Sequence, residues 1–281
     1  MRDHHIGVFR ANLKQNIQDL SGRPVIVYEY PLSERIRTWL RLEDLFEKAA
    51  YFMRADDARS HHAALLAIFE LADVMARPEL RSELLQELER QKQAFEPLKG
   101  NPAVDGRRLD QVLEAIMGAL AELHLDSGKL GQHIRDNDWL CSIKSRTGIP
   151  GGACGFDLPS YHFWLSQPAS RRRGDLSAWL APLNTIGKSV SLVLRLLREG
   201  GSAANYMAQS GMFQLSLGGR VAQLLRVGVS AELPCVPEVS ANKYAVNLRF
   251  VSAGTSQKPR IYEQDVPFEL VFCTFSGSTQ A

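Results

Sequence analysis

The spacing of apolar residues changes period along this chain, and each change predicts an element. At Val25 to Tyr30 the run VIVYEY is β-branched and aromatic and is closed by Pro31, which predicts an isolated strand. From Ser33 the period turns helical: Ile36, Trp39, Leu40, Phe46, Ala49, Ala50 and Met53 share one stripe, with Ser33 as N-cap and Glu34 in the first turn. Ser60 caps a second helix, whose Leu65, Leu66, Ile68, Phe69, Ala72 and Met75 form a broad apolar face. Pro78 opens a third through Leu80, Leu84, Leu85 and Leu88. Asp105 caps a fourth, where Leu109, Val112, Leu113, Ile116, Met117, Leu120 and Leu123 recur at helical spacing. Ser127 caps a shorter fifth, with Leu130, Ile134, Leu140 and Ile143 inward, ending before Gly148. Long amphipathic helices in succession predict a bundle.

The segment Ile149 to Pro159, IPGGACGFDLP, is rich in glycine and bounded by prolines, so a short bulged strand is expected there. Pro159 starts a helical turn carrying Tyr161, His162, Trp164 and Leu165. The run Arg171-Arg172-Arg173 reads as an exposed loop, and Asp175 opens a further helix through Trp179, Leu183, Ile186, Val190, Leu194 and Leu197, stopped by Gly200-Gly201. Beyond this point strands dominate, at Met212 to Leu217, Gln223 to Ser230, Tyr244 to Val251 and Phe268 to Phe275. A lone strand needs partners, so VIVYEY is expected to join this C-terminal sheet. The predicted class is α+β, a helical bundle domain plus an antiparallel β-sheet domain that also takes the strand near residues 25–30. The expected division is residues 1–24 as a tail or irregular leader, 25–31 as the strand, 32–148 as the helical domain, and 149–281 as the β domain with helices at 159–200.

Composition narrows the function classes. The 281 residues are 45% apolar and 23% charged, an ordinary globular balance that supports a core without covalent staples. The apolar runs fall far short of the roughly 20 residues of a membrane span, and the first residues lack the apolar stretch of a secretory signal, so a cytoplasmic protein is expected, with no membrane partner. Cys141, Cys154, Cys235 and Cys273 form no CxxC pair and read as free thiols, mainly buried. A net charge of +2 is too small for wholesale nucleic-acid binding, and any electrostatic function must come from local clusters.

Few catalytic patterns can be written down. The histidines form no zinc-ligand spacing, and Gly151-Gly152 lacks the surroundings of a phosphate loop, so no metal and no cofactor is expected. Those glycines are expected to serve a bulge or a turn with positive φ. A thiol hydrolase or transferase using Cys154 and His162, with Asp157 orienting the imidazole, is the enzymatic alternative; otherwise Cys154 is core and Asp157 caps the following helix. Arg171 to Arg173 could meet a phosphate or an acidic peptide, although a solvated turn is the simpler expectation. Arginines also decorate the helices: Arg35, Arg37 and Arg41 on the first, Arg77 and Arg81 at the start of the third. Arg37 and Arg41 are four apart and share a face; such a face is often simply solvated, and it also suits a partner bringing carboxylates.

Four blocks carry a resemblance: YPLSERIRTWLRLEDLF (Tyr30 to Phe46), MARPELRSELLQELERQ (Met75 to Gln91), LGQHIRDN (Leu130 to Asn137) and IPGGACGFDLPSYHFWL (Ile149 to Leu165). The chain resembles the ZapD family of cell-division proteins, loosely continued through WLAPLN and SANKYAVNLRF to the last strand, over about residues 25–275. The resemblance implies a cytoplasmic, non-enzymatic homodimer that binds the C-terminal tail of FtsZ and bundles FtsZ filaments at midcell. By motif, the tail-binding residues fall on Arg37, Arg41, Arg77, Arg81, His162, Lys243 and Arg249. Two positions depart from the family pattern: Asp138 stands where the pattern can be basic, and Ala245 where a second arginine can precede NLRF. Residues 1–24 lie outside the resemblance and read as an extension, such as an upstream start would add.

Overall fold

In the computed structural model, which describes residues 24–125, 128–219, 222–254 and 258–275, the first strand stands where the β-branched run places it. The expected leader, Pro24 apart, and the expected cap Ser127 lie outside the described residues. The strand β1 is Val25–Pro31, and the C-terminal part supplies β2 Gly201–Ala208, β3 Met212–Ser216, β4 Leu224–Ser230, β5 Cys235–Ala241, β6 Ala245–Ser252 and β7 Val266–Cys273. They form a four-stranded sheet of order β1-β4-β7-β2 and a three-stranded sheet of order β3-β6-β5. Every pairing is antiparallel, so VIVYEY does find its neighbour in the C-terminal sheet, with Tyr28 opposite Val227 and Glu29 opposite Arg226.

Both sheets feed one core: Leu225, Val227, Val229, Phe268, Leu270 and Phe272 from the first sheet meet Val246, Leu248, Phe250 and Cys235 from the second. Alternation follows from this. Along β6, Val246, Leu248 and Phe250 are buried while Asn247 and Arg249 are exposed. The central strand β7 is buried along nearly all its length, which is why its sequence reads as a continuous apolar run. Glu29 is held by Arg198 through two nitrogens at 2.8 Å and by Arg226 at 3.2 Å, which ties β1 to this sheet by charge as well as by ladder. The strands β2 and β5 have no counterpart in the sequence reading. Both are edge strands; β2 is GSAANYMA, with little apolar alternation, and β5 carries Pro237, so pairing rather than local preference makes them strands.

The helices are α1 Glu34–Met53, α2 Ala58–Val74, α3 Leu80–Phe95, α4 Gly106–Leu125, α5 Gln132–Arg135, α6 Asp138–Thr147, α7 Pro159–Leu165, α8 Ala169–Leu180 and α9 Asn184–Glu199. Their buried faces are largely those the periodicity marks: Ile36, Trp39, Phe46 and Ala49 on α1, Leu65, Ile68, Phe69 and Ala72 on α2, Leu109, Leu113, Ile116, Leu120 and Leu123 on α4. Met117, counted on that stripe, is 49% exposed. Ser33 and Asp105 cap as expected, accepting from Ile36 N at 3.3 Å and from Arg107 N at 3.0 Å.

Several expectations are corrected. Asp57, not Ser60, caps α2: its Oδ1 accepts from Ser60 N at 2.8 Å. The single fifth helix is two, α5 and α6, because Asn137 restarts the helix by accepting from Leu140 N at 3.0 Å. No strand forms between Ile149 and Leu158; the glycines make turns instead, Gly151 at φ +72° and Gly152 where a Cβ would lie 2.4 Å from Arg146 O. Asp157 does not cap α7, whose N-cap is Leu158. The arginine run is inside α8, not in a loop, and α8 and α9 are separate helices joined by a short 3-10 turn at Ala181–Leu183.

The described chain divides into a helical unit, Thr38–Val193, and a β unit made of residues 24–37 and 194–275. This differs from a boundary after residue 148: α7, α8 and α9 up to Val193 group with the helices. The reason is packing, since Tyr161 of α7 meets His62 and Arg172 of α8 meets His61, both on α2.

Candidate functional site

In the helical unit the arginine set gathers around the start of α3. Pro78 and the turn before it leave Arg77 exposed, and Arg77 Nη1 donates to Thr38 Oγ1 on α1 at 2.7 Å. Thr38 is buried and lies one helical turn before Arg41, which is exposed, so this hydrogen bond brings Arg77 beside the α1 face that carries Arg41. Arg81 is half-buried and its Nη2 donates to Gly128 O at 2.8 Å, so part of its donor capacity serves the helix connection. What stands out to solvent is a pair of guanidinium groups, each with planar donors that fit a carboxylate. Thr38, the residue that positions Arg77, escapes sequence reading because its role depends on a contact 39 residues away.

His162 is placed by burial of its neighbours. On α7, Tyr161 and Trp164 face inward, stacked at 5.7 Å, and Trp164 meets Trp139 and Trp179 at 6.0 and 5.8 Å. Two of the indole nitrogens are satisfied, Trp139 on Ser160 at 3.0 Å and Trp164 on Asp175 at 2.9 Å. With Tyr161 and Trp164 fixed inside, helix geometry turns His162 and Phe163 outward, and both are exposed. The His162 ring packs beside Gly155, 3.1 Å from where a Cβ would sit. Behind it His62 Nδ1 meets Tyr161 Oη at 2.6 Å; burial lowers the pKa of His62 and raises that of Tyr161.

In the β unit, Arg37 and Lys243 line one cleft of about 780 Å³, together with Tyr30, Leu32, Glu34, Leu217 and the β5 residues Val239 to Ala241. Arg37 is bridged to Glu34 at 3.2 Å, and Lys243 sits on the Tyr244 ring at 4.8 Å, in the tight turn joining β5 to β6. Arg249 does not line this cleft. It is exposed on β6 and bound across the hairpin by Glu238, its register partner, with Nε at 3.0 Å from the carboxylate. The candidate residues therefore fall into two groups, Arg41, Arg77, Arg81 and His162 in the helical unit and Arg37, Lys243 and Arg249 in the β unit. Asp138 lies in the first turn of α6, where a carboxylate favours the helix, and Ala245 opens β6 opposite Ser216.

The arginine run has a structural duty. Arg172, 5% exposed, donates to His61 Nδ1 at 2.9 Å, to Leu165 O at 2.9 Å, to Asp56 O at 2.6 Å and to Gln167 O. Arg173 donates to Met53 O at 3.0 Å and to the Asp56 carboxylate at 2.5 Å. Together they clamp the connection between α1 and α2, and only Arg171 of the three is exposed. Among the described residues, no side-chain hydrogen bond joins Cys154, His162 and Asp157, and no group of three or more His, Cys, Asp and Glu residues could hold a metal ion. Cys154 is exposed rather than core, while Cys235 and Cys273 are buried and burial raises both thiol pKa values, Cys273 to about 11. No described helix is long and apolar enough to cross a membrane.

The family model of the cell division protein ZapD matches residues 40–249. This chain belongs to the ZapD family. It is 47% identical over 255 residues to the cell division protein ZapD of Aromatoleum aromaticum, covering 91% of this chain and all of that relative. Identity to the ZapD of Nitrosomonas europaea is 48% over 250 residues, covering 89% of this chain and 95% of the relative. The ZapD of Azoarcus sp. strain BH72 is 49% identical over 250 residues, again 89% of this chain and all of the relative. Family membership supports a role in cell division. It also accounts for the four sequence blocks: three lie wholly within the matched span, and the first, Tyr30 to Phe46, enters it at residue 40.

Proposed function

We propose that this ZapD-family protein binds the C-terminal tail of FtsZ and, as a homodimer, cross-links FtsZ filaments in the cytoplasm at midcell, without catalysing a reaction. The observation that carries the reading is the exposed pair Arg41 and Arg77, positioned through Thr38 in a chain of a cell-division family. A partly acidic, extended tail offers carboxylates that accept hydrogen bonds from guanidinium groups in bidentate geometry. A single contact of this kind is weak. Two tail sites in a two-fold dimer, facing filaments that present many tails, multiply modest affinity into stable bundles.

Co-sedimentation with GTP-assembled FtsZ, run beside FtsZ lacking its tail at low and high salt, tests the reading. Tail-dependent pelleting that fades as salt shortens the screening length to a few ångströms is the expected result. Equal pelleting with tailless FtsZ, or none at any salt, would overturn it.

A further inference from the structure

The cleft in the β unit has a feature that its two cations do not explain: one wall is an open sheet edge. Strand order leaves β5 with β6 on one side and, among the described residues, no strand on the other. In an antiparallel ladder, alternate residues bond to the partner strand and the residues between them point their backbone groups away. Asn242 N donates to Ala245 O at 3.0 Å and Ala253 N to Pro234 O at 2.9 Å, so the even-numbered residues of β5 bond to β6. The outward set is therefore Cys235, Pro237, Val239 and Ala241. Pro237 has no N–H, and its carbonyl is taken by the Tyr30 hydroxyl, which closes the N-terminal half of the edge. Burial pushes the Tyr30 pKa up to about 12, so the hydroxyl stays a donor. Val239 and Ala241 remain, half-buried and facing the cleft, and among the described residues their outward N–H groups meet no partner.

The cleft around this open half has apolar and cationic walls. Tyr30, Leu32 and Leu217 supply the apolar part, Lys243 and Arg37 the cations, with Glu34 already bridged to Arg37. We propose that the Val239–Ala241 edge takes up an extended, carboxylate-bearing peptide as an added strand, its backbone pairing with Val239 and Ala241 and its carboxylate lying toward Lys243 and Arg37. Main-chain pairing supplies a fixed register and the cleft selects side chains at alternate positions. A span of three β5 residues, at about 3.4 Å each, takes only a short segment of peptide. The inference deepens the tail-binding reading and rests on it for the identity of the peptide.

The test is a fluorescence anisotropy titration of a labelled FtsZ tail peptide against the full chain, Val239→Pro, Ala241→Pro and Arg41→Glu, together with a series of tail peptides N-methylated at successive residues. Proline at positions 239 and 241 removes an outward N–H without touching the ladder to β6, as Pro237 already does. The expected result is a loss of roughly tenfold or more in affinity for either proline variant, matching about one to two lost hydrogen bonds, and an alternating N-methyl penalty on the unmodified protein. The peptide series decides the matter even where a proline variant fails to fold. N-methylation tolerated at every position overturns strand addition, and so does a penalty that both folded proline variants leave unchanged. In either case, loss of binding in Arg41→Glu leaves tail binding itself standing. Absence of binding by the unmodified chain at any salt removes the tail-binding reading, and strand addition falls with it.

Discussion

Arg172 shows how far a residue's role can depart from its look in sequence. A run of three arginines reads as solvent-facing charge, yet Arg172 is buried and satisfied by three carbonyls and an imidazole. Arg172→Ala would strip hydrogen bonds from Asp56, Leu165 and Gln167 and should lower stability by on the order of 3 kcal/mol, read as a shift in urea midpoint; Arg171→Ala, exposed, should change it little. The same contact sets a pH dependence. Burial, then the Arg172 charge, lowers the His61 pKa, and burial lowers that of His62. The unfolded chain binds protons near pH 6.5 that the folded chain refuses, so stability should fall as pH drops below about 6.5, and His61→Gln should flatten that slope. Constant stability from pH 7 to 5 would contradict this. Among the thiols, exposure predicts that Cys154 is alkylated first and Cys273, buried with a raised pKa, last. Cys154 should react at the rate of a small free thiol; a rate about a hundredfold faster would instead revive the hydrolase alternative.

At the scale of elements, caps and periods were legible where the signal is local and illegible where it is not. Ser33 and Asp105 were readable because an N-cap needs only the next three residues. At Ser60 the rule failed because Asp57, an equally good cap three residues earlier, takes the position. The glycine-rich block between α6 and α7 is the most testable element. Gly152 sits where a Cβ would meet the Arg146 carbonyl at 2.4 Å, a backbone neighbour that cannot swing aside. Gly152→Ala should therefore cost about 1–3 kcal/mol in a thermal melt, and it should disturb the turn that leads into His162. An unchanged melting temperature would show that the turn yields without cost. Two edge strands were the other blind spot: β2 is GSAANYMA, with little apolar alternation, and β5 is interrupted by Pro237, whereas the edge strands β1 and β3 carry β-rich runs that a short window can read.

Under the proposed function, the testable quantity for the whole molecule is bivalent attraction. Charge reversal at Arg41 or Arg77 should abolish low-salt bundling of FtsZ while the circular dichroism spectrum stays unchanged, because both arginines are exposed. Reversal at Arg249 should do less, since Glu238 already holds it. Light scattering of FtsZ filaments with each variant, over a salt series, separates these outcomes; equal loss for all three would point to a general charge effect rather than a site.

Hydrophobic spacing by itself determined the α+β class, the buried faces of α1, α2 and α4, and the need of VIVYEY for a C-terminal partner, since each depends on period and composition within a short window. The four blocks brought out the family as well. Only tertiary structure decided that the arginine run is a clamp, that Thr38 holds Arg77, that α7 and α8 group with the helices, and that β5 ends in an open edge. These are pairings between residues far apart in the chain, and a sequence window carries no term for a hydrogen bond whose two ends lie outside it.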